Sequence, residues 1–208
     1  HSRGVIHRDL KPDNIMVGPF GEVFVMDWGI ARLIGGPEPL SEGQGTEAEK
    51  TAFGVVIGTT SYMAPEQAEG RNEDMDGRSD LFSLGLILFE MSTLRRARPG
   101  AKGAQALLAA QAGKVDPILA LSKREPVPRE LAAIIRKATQ KRRRDRYQDM
   151  QLLADDVRRF LRGEAVQAQS DTAMQRFARW IGKHRDTSAA IGLALVLLVF
   201  VIVGVAAT

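Results

Sequence analysis

Short apolar runs broken by polar turns make up the front of the chain, and longer helical patterns make up its middle. Val5 and Ile6 form an apolar pair ahead of a polar cluster, His7-Arg8-Asp9-Leu10-Lys11-Pro12-Asp13-Asn14. Ile15-Met16-Val17 and Glu22-Val23-Phe24-Val25-Met26 then read as two short strands. Gly18-Pro19-Phe20-Gly21 reads as the turn between them, with two glycines able to take positive φ. Gly35 to Lys50 is rich in Gly, Pro, Ser and Glu without periodicity, and is expected to be a mobile loop. Beyond it, Leu81 to Met91 is apolar nearly all round, which predicts a buried helix. Helical patterns also cover Ala104–Ala112, Pro128–Gln140 and Asp149–Leu161. Pro128 and Arg129 suit a first helical turn, and Gly163 stands where a helix stop belongs. No internal repeat is visible. The expected class is α+β, a mainly helical lobe with a small β element at its edge.

The last stretch is of another kind. Thr187 to Thr208 carries no charge and contains Leu193-Ala194-Leu195-Val196-Leu197-Leu198-Val199-Phe200-Val201-Ile202-Val203. At about 1.5 Å per residue, roughly twenty such residues cross a bilayer core, so this run is expected to be a transmembrane helix. Arg176, Arg179, Lys183 and Arg185 precede it, interleaved with Phe177, Trp180 and Ile181. Cations favour the cytoplasmic side and a tryptophan the interface, which predicts a single-pass protein of the cell membrane with its polar lobe in the cytoplasm. A homodimer suits such a design but has no residue-level signal.

Composition narrows the chemistry. The chain has no cysteine, which excludes disulfides and thiolate zinc sites. The net charge is +4, and much of the excess precedes the apolar run. The basic cluster Lys141–Arg144 lacks interleaved aromatics and sits at an expected helix end, where cations are favoured, so no nucleic-acid partner is expected. The chain opens with His1 in what reads as the middle of a domain, so the expectation is a fragment of a longer protein.

The polar cluster is where chemistry concentrates. Thirteen residues after Asn14 stands Asp27-Trp28-Gly29, and further on Ala64-Pro65-Glu66. In isolation Asp9, Asn14 and Asp27 would pass for turn or capping residues. Taken together, in this order, the three segments resemble the catalytic loop, the metal-binding Asp-Phe-Gly and the Ala-Pro-Glu of the protein kinase family. The branch it resembles is the bacterial-type serine/threonine kinases. The resemblance runs from residue 1 to about residue 163 and implies a C-terminal kinase lobe using ATP and Mg²⁺ to phosphorylate Ser or Thr of protein substrates.

The carry-over is residue by residue. Asp9 would take the proton of the substrate hydroxyl and Lys11 would place an ammonium near the γ-phosphate, the pattern of the serine/threonine branch. Asn14 and Asp27 would hold Mg²⁺ through hard oxygens shared with phosphate. Arg8 beside Asp9 implies control by phosphorylation of the following loop, with Thr51 as first and Thr46 as second acceptor. Thr59 matches a threonine that bonds the aspartate and lysine of the loop. Asp80 would cap the loop's backbone, and Arg146 would pair with Glu66. Trp28 replaces the usual Phe, so its indole must fill a larger pocket and find a partner for its N–H.

The glycine-rich loop, strand lysine and partner glutamate that position ATP in this family are not among the 208 residues. This piece alone is therefore expected to be inactive. The organisation expected is a kinase C-terminal lobe over 1–163, a basic juxtamembrane linker over 164–186 and a membrane helix over 187–208. A membrane-tethered pseudokinase or binding scaffold is the alternative.

Overall fold

A computed structural model of the chain describes residues 3–33, 50–51, 54–55, 60–99, 103–118 and 126–169. Its strands are short and antiparallel: β1 (Val5–Ile6) pairs with β4 (Arg32–Leu33), and β2 (Ile15–Val17) with β3 (Val23–Val25). A further pair joins β5 (Lys50–Thr51) to β6 (Gly54–Val55). In the β2–β3 hairpin Ile15 faces Val25, Met16 faces Phe24 and Val17 faces Val23.

The second strand is shorter than its apolar pattern because Glu22 belongs to the turn. Its carboxylate accepts the Phe20 N–H at 3.0 Å, and its backbone oxygen accepts the Gly18 N–H at 2.8 Å. A Cβ on Gly18 would lie 2.4 Å from that carboxylate, which would have to swing aside and give up its bond to Phe20. Only Gly21, at φ +87, uses the positive-φ freedom expected of both glycines.

Among the described residues five helices follow: α1 (Pro65–Ala68), α2 (Gly77–Thr93), α3 (Ala104–Gln111), α4 (Arg129–Ala138) and α5 (Met150–Leu161). Helix α2 starts ahead of its apolar run because Asp76 caps it, accepting the Arg78 N–H at 2.9 Å. It ends at Leu94, a left-handed residue at φ 51. Pro128 sits at the cap position of α4, one residue before the first turn. Asp149 caps α5 through the Leu152 N–H at 2.8 Å. The Gly163 N–H then bonds Phe160 and the Glu164 N–H bonds Arg159, a Schellman end with Gly163 at φ +67.

Helix α2 is the spine of the lobe. Leu81, Phe82, Leu86, Ile87 and Phe89 are buried on it, each worth about 1.5–3 kcal/mol of transfer free energy. Ile134, Ile135 and Ala138 of α4 and Leu153 of α5 pack from one side. A Cβ on Gly85 would meet Ala138 and Thr139 at 2.8 Å, so this glycine sets how closely α2 and α4 approach. Among the described residues no helix is long and apolar enough to cross a membrane, and residues 170–208 lie outside them.

Candidate active site

The loop after β1 is held by its backbone. The carboxylate of Asp80, in the first turn of α2, accepts the His7 N–H at 2.7 Å and the Arg8 N–H at 2.8 Å. The Arg8 carbonyl accepts Gln67 Nε2 at 2.6 Å from the α1 side. Arg8 itself sits at φ 71, which costs a non-glycine residue roughly 1–2 kcal/mol. These contacts from both sides sustain that conformation. Burial holds the Asp80 carboxyl above its ordinary range, and the two N–H donors offset only part of this.

Beyond Arg8 the side chains converge. Lys11 Nζ lies 2.7 Å from Asp9 Oδ2. Pro12–Asn14 forms a 3₁₀ turn, closed by the Asn14 N–H on Lys11 O at 3.0 Å. That turn aims the Asn14 amide back at Asp9, where Nδ2 donates to the backbone O at 2.8 Å and to Oδ2 at 3.2 Å. With its NH₂ spent on Asp9, Asn14 keeps Oδ1 as an acceptor for a cation. Asp9, Lys11 and Asn14 thus form one bonded group.

The hairpin returns the chain to this loop. The Met26 N–H bonds Asn14 O at 2.9 Å and the Met26 carbonyl lies 2.9 Å from His7 Nε2, so Asp27 is the next residue after one bonded to the backbone of this loop. Asp27 is exposed, at φ 57, and its Oδ1 accepts the Gly29 N–H at 3.4 Å. The indole of Trp28 finds its expected partner, donating to Val25 O at 2.9 Å. It is not enclosed as expected: it stays 52% exposed, with one side against the His7 ring at 4.7 Å.

Glu66 and Arg146 meet in a buried two-pronged pair, joined by the Ser79 hydroxyl on Glu66 Oε1 at 2.8 Å. Arg146 also bonds the carbonyls of Arg78, Gln140 and Lys141 and lies over the Phe82 ring. Other contacts gave no signal in the sequence. Tyr62 OH bonds the Glu90 carboxylate, and burial followed by that bond pushes the phenol up. Arg98, 6% exposed, bonds the carbonyls of Thr60, Met63 and Lys114 at 3.1, 3.0 and 2.8 Å. Burial lowers its guanidinium to about 10, which leaves it charged at neutrality.

Of the remaining expected positions, Thr46 and Thr59 lie outside the described residues. Thr51 lies in β5, where only its backbone is described. Among the described residues no three His, Cys, Asp or Glu gather to hold a metal by themselves. The donors present, one amide oxygen and one exposed carboxylate, suit Mg²⁺ that keeps most of its ligands from phosphate and water.

Comparison with known proteins agrees with this arrangement. The protein kinase domain family matches residues 1–157. The chain is 37% identical over 174 residues to serine/threonine-protein kinase PknD of Protochlamydia amoebophila, covering 79% of this chain and 17% of that protein. It is 38% identical over 168 residues to serine/threonine-protein kinase PknB of Mycobacterium tuberculosis, covering 81% of this chain and 25% of that protein. It is 32% identical over 168 residues to serine/threonine-protein kinase PknD of Chlamydia pneumoniae, covering 78% and 18%. The chain therefore spans a quarter or less of the length of these relatives. With that family matched across residues 1–157, well over half of its length, the chain belongs to the protein kinase domain family.

Proposed function

We propose that the chain is the phosphoryl-transfer lobe of a serine/threonine protein kinase, acting on Ser or Thr hydroxyls of proteins. The observation that carries this is the bonded group Asp9–Lys11–Asn14, with Asp27 one residue beyond the hairpin's backbone bond to Asn14. Bound ATP with Mg²⁺ supplies the γ-phosphoryl group and much of the charge neutralisation on its oxygens. The chain's own residues supply position. Asp9 orients the substrate hydroxyl and takes its proton. Lys11 is fixed by Asp9 at 2.7 Å and presents its ammonium to the transferred group. Asn14 Oδ1 and the Asp27 carboxylate are the metal-holding oxygens. Thr59 steadies this group, and Thr51 or Thr46 accepts a regulatory phosphate read by Arg8. Residues 187–208 anchor the protein in the cell membrane as a single span, following the linker 164–186, with the lobe on the cytoplasmic side.

The test uses the protein encoded by the whole reading frame, labelled ATP and a generic basic protein. Phosphoserine or phosphothreonine should form and disappear in D9N, whereas equal labelling by D9N would sink the reading. The 208 residues alone should give no signal above D9N, since the elements that cover ATP are not among them. One observation favours a tethered pseudokinase instead: the half-exposed Trp28 next to Asp27. Full-length protein that fails to bind Mg²⁺–ATP would favour that alternative. Resistance of the chain to alkaline carbonate extraction tests the membrane span.

A further inference from the structure

Helix α4 buries one side and charges the other. Arg129, Arg136 and Lys137 fall on one helical face and, with Gln140 just past the helix end, line an open groove of about 840 Å³. Arg129 and Arg136 are exposed and form no ion pair among the described residues. Lys137 places its ammonium 4.5 Å from the centre of the Tyr147 ring. Among the described residues Asp145 is the only carboxylate in the lining, and Arg144 lies 3.8 Å from it. The groove is cationic.

The chain also leaves the lobe here. Val166 is buried against the α5 cluster, and the Asp156 carboxylate accepts the N–H groups of Gln167 and Ala168 at 2.7 and 2.8 Å. These bonds pin Ala168 and Gln169 to the wall of the same groove. Downstream come Arg176, Arg179, Lys183 and Arg185, then the uncharged run 187–208. Even fully extended, residues 170–186 reach no more than about 60 Å, which bounds how far the groove can lie from where that run begins.

We propose that the α4 face, through Arg129, Arg136 and Lys137, docks the lobe on anionic lipid headgroups of the bilayer that the apolar run enters. The proposal rests on the membrane reading above. The polarity fits: cations gather where the chain exits toward the apolar run, each adding on the order of fivefold to attraction for an anionic surface. A nucleic-acid partner fits less well, because among the described residues no exposed aromatic lines the groove for base stacking. Docking would hold the lobe in one orientation over the membrane.

The chain has no cysteine, so Gln140→Cys gives one thiol in the groove, and Phe20→Cys, at a position 91% exposed on the hairpin turn, gives a distant control. The full chain is reconstituted in vesicles of phosphatidylcholine, with or without phosphatidylglycerol, and maleimide labelling rates are measured. Labelling of Q140C should slow at least about fivefold with the anionic lipid and recover in high salt, while F20C does not change. R129E/R136E/K137E should abolish the slowing, and R129Q/R136Q should reduce it if the triple variant fails to fold. Equal Q140C rates in both lipids, in a chain that resists carbonate extraction, would overturn docking and leave the span standing. If carbonate releases the chain, flotation with the anionic vesicles decides: flotation lost on charge reversal supports docking, and absence of flotation overturns it.

Discussion

Arg146 reaches Glu66 across eighty residues of sequence, with Nη1 and Nη2 at 2.8 and 2.9 Å from its two oxygens and the side chains 0% and 2% exposed. The pair ties the segment that begins α1 to the turn before α5, and three carbonyls complete the arginine's bonding. Removing one partner leaves the other charged in a dry site. R146M should therefore cost about 3–5 kcal/mol in chemical denaturation. E66L/R146M should recover much of that loss, and a single variant as stable as the parent would contradict this account.

Asp80 carries the loop on two backbone bonds. D80A should orphan two buried N–H groups at about 1–3 kcal/mol each. D80N keeps one acceptor oxygen and should fall between D80A and the parent in thermal unfolding. Loss of phosphate transfer by the whole protein should follow the same order.

Arg98 clamps the Thr60–Met63 segment from outside. R98L removes charged bonds to two of its carbonyls, each worth about 1.5–3 kcal/mol. Amide hydrogen exchange over residues 60–63 should accelerate well beyond the change in global stability. Unchanged exchange there would show that the segment is held by other contacts.

Asp76 gives the lobe an acid-sensitive joint. Burial pushes its carboxyl up, but the Arg78 side-chain bonds, the Arg78 N–H and the Arg143 charge outweigh this and hold it below the ordinary 3.8. A depressed carboxyl contributes stability that is complete above its unfolded value and lost as pH falls through its folded one. D76N should therefore be less stable than the parent near neutrality, with the gap closing below about pH 4. A gap that is constant down to pH 2 would contradict the assignment.

The helical lobe was readable because its signals are local. Apolar periodicity marked α2 to α5, and Asp149 and Gly163 marked the ends of the last helix within a residue. The catalytic-type loop was readable because its residue types and spacing are unusual together. Long-range contacts left no such trace. Arg98 looks like one more surface arginine in Leu94-Arg95-Arg96-Ala97-Arg98, yet it is buried over Phe82. Gln67 stands next to a recognised glutamate, but nothing local says that it bonds the Arg8 carbonyl. The apolar pattern marks α2 only from Leu81, because Gly77-Arg78-Ser79-Asp80 has no apolar residue, and the helicity of its first turn depends on a cap and on buried polar bonds.

The loop is fixed by main-chain atoms of His7 and Arg8, whereas the reactivity proposed for it lives in the side chains of Asp9, Lys11 and Asn14. Posture and chemistry are thus inherited separately. A descendant of this chain could exchange its reactive groups, lose turnover altogether and still present the same surface to a binding partner. Whether such a protein signals by transfer or by shape alone would then be decided by a handful of positions that the architecture scarcely notices.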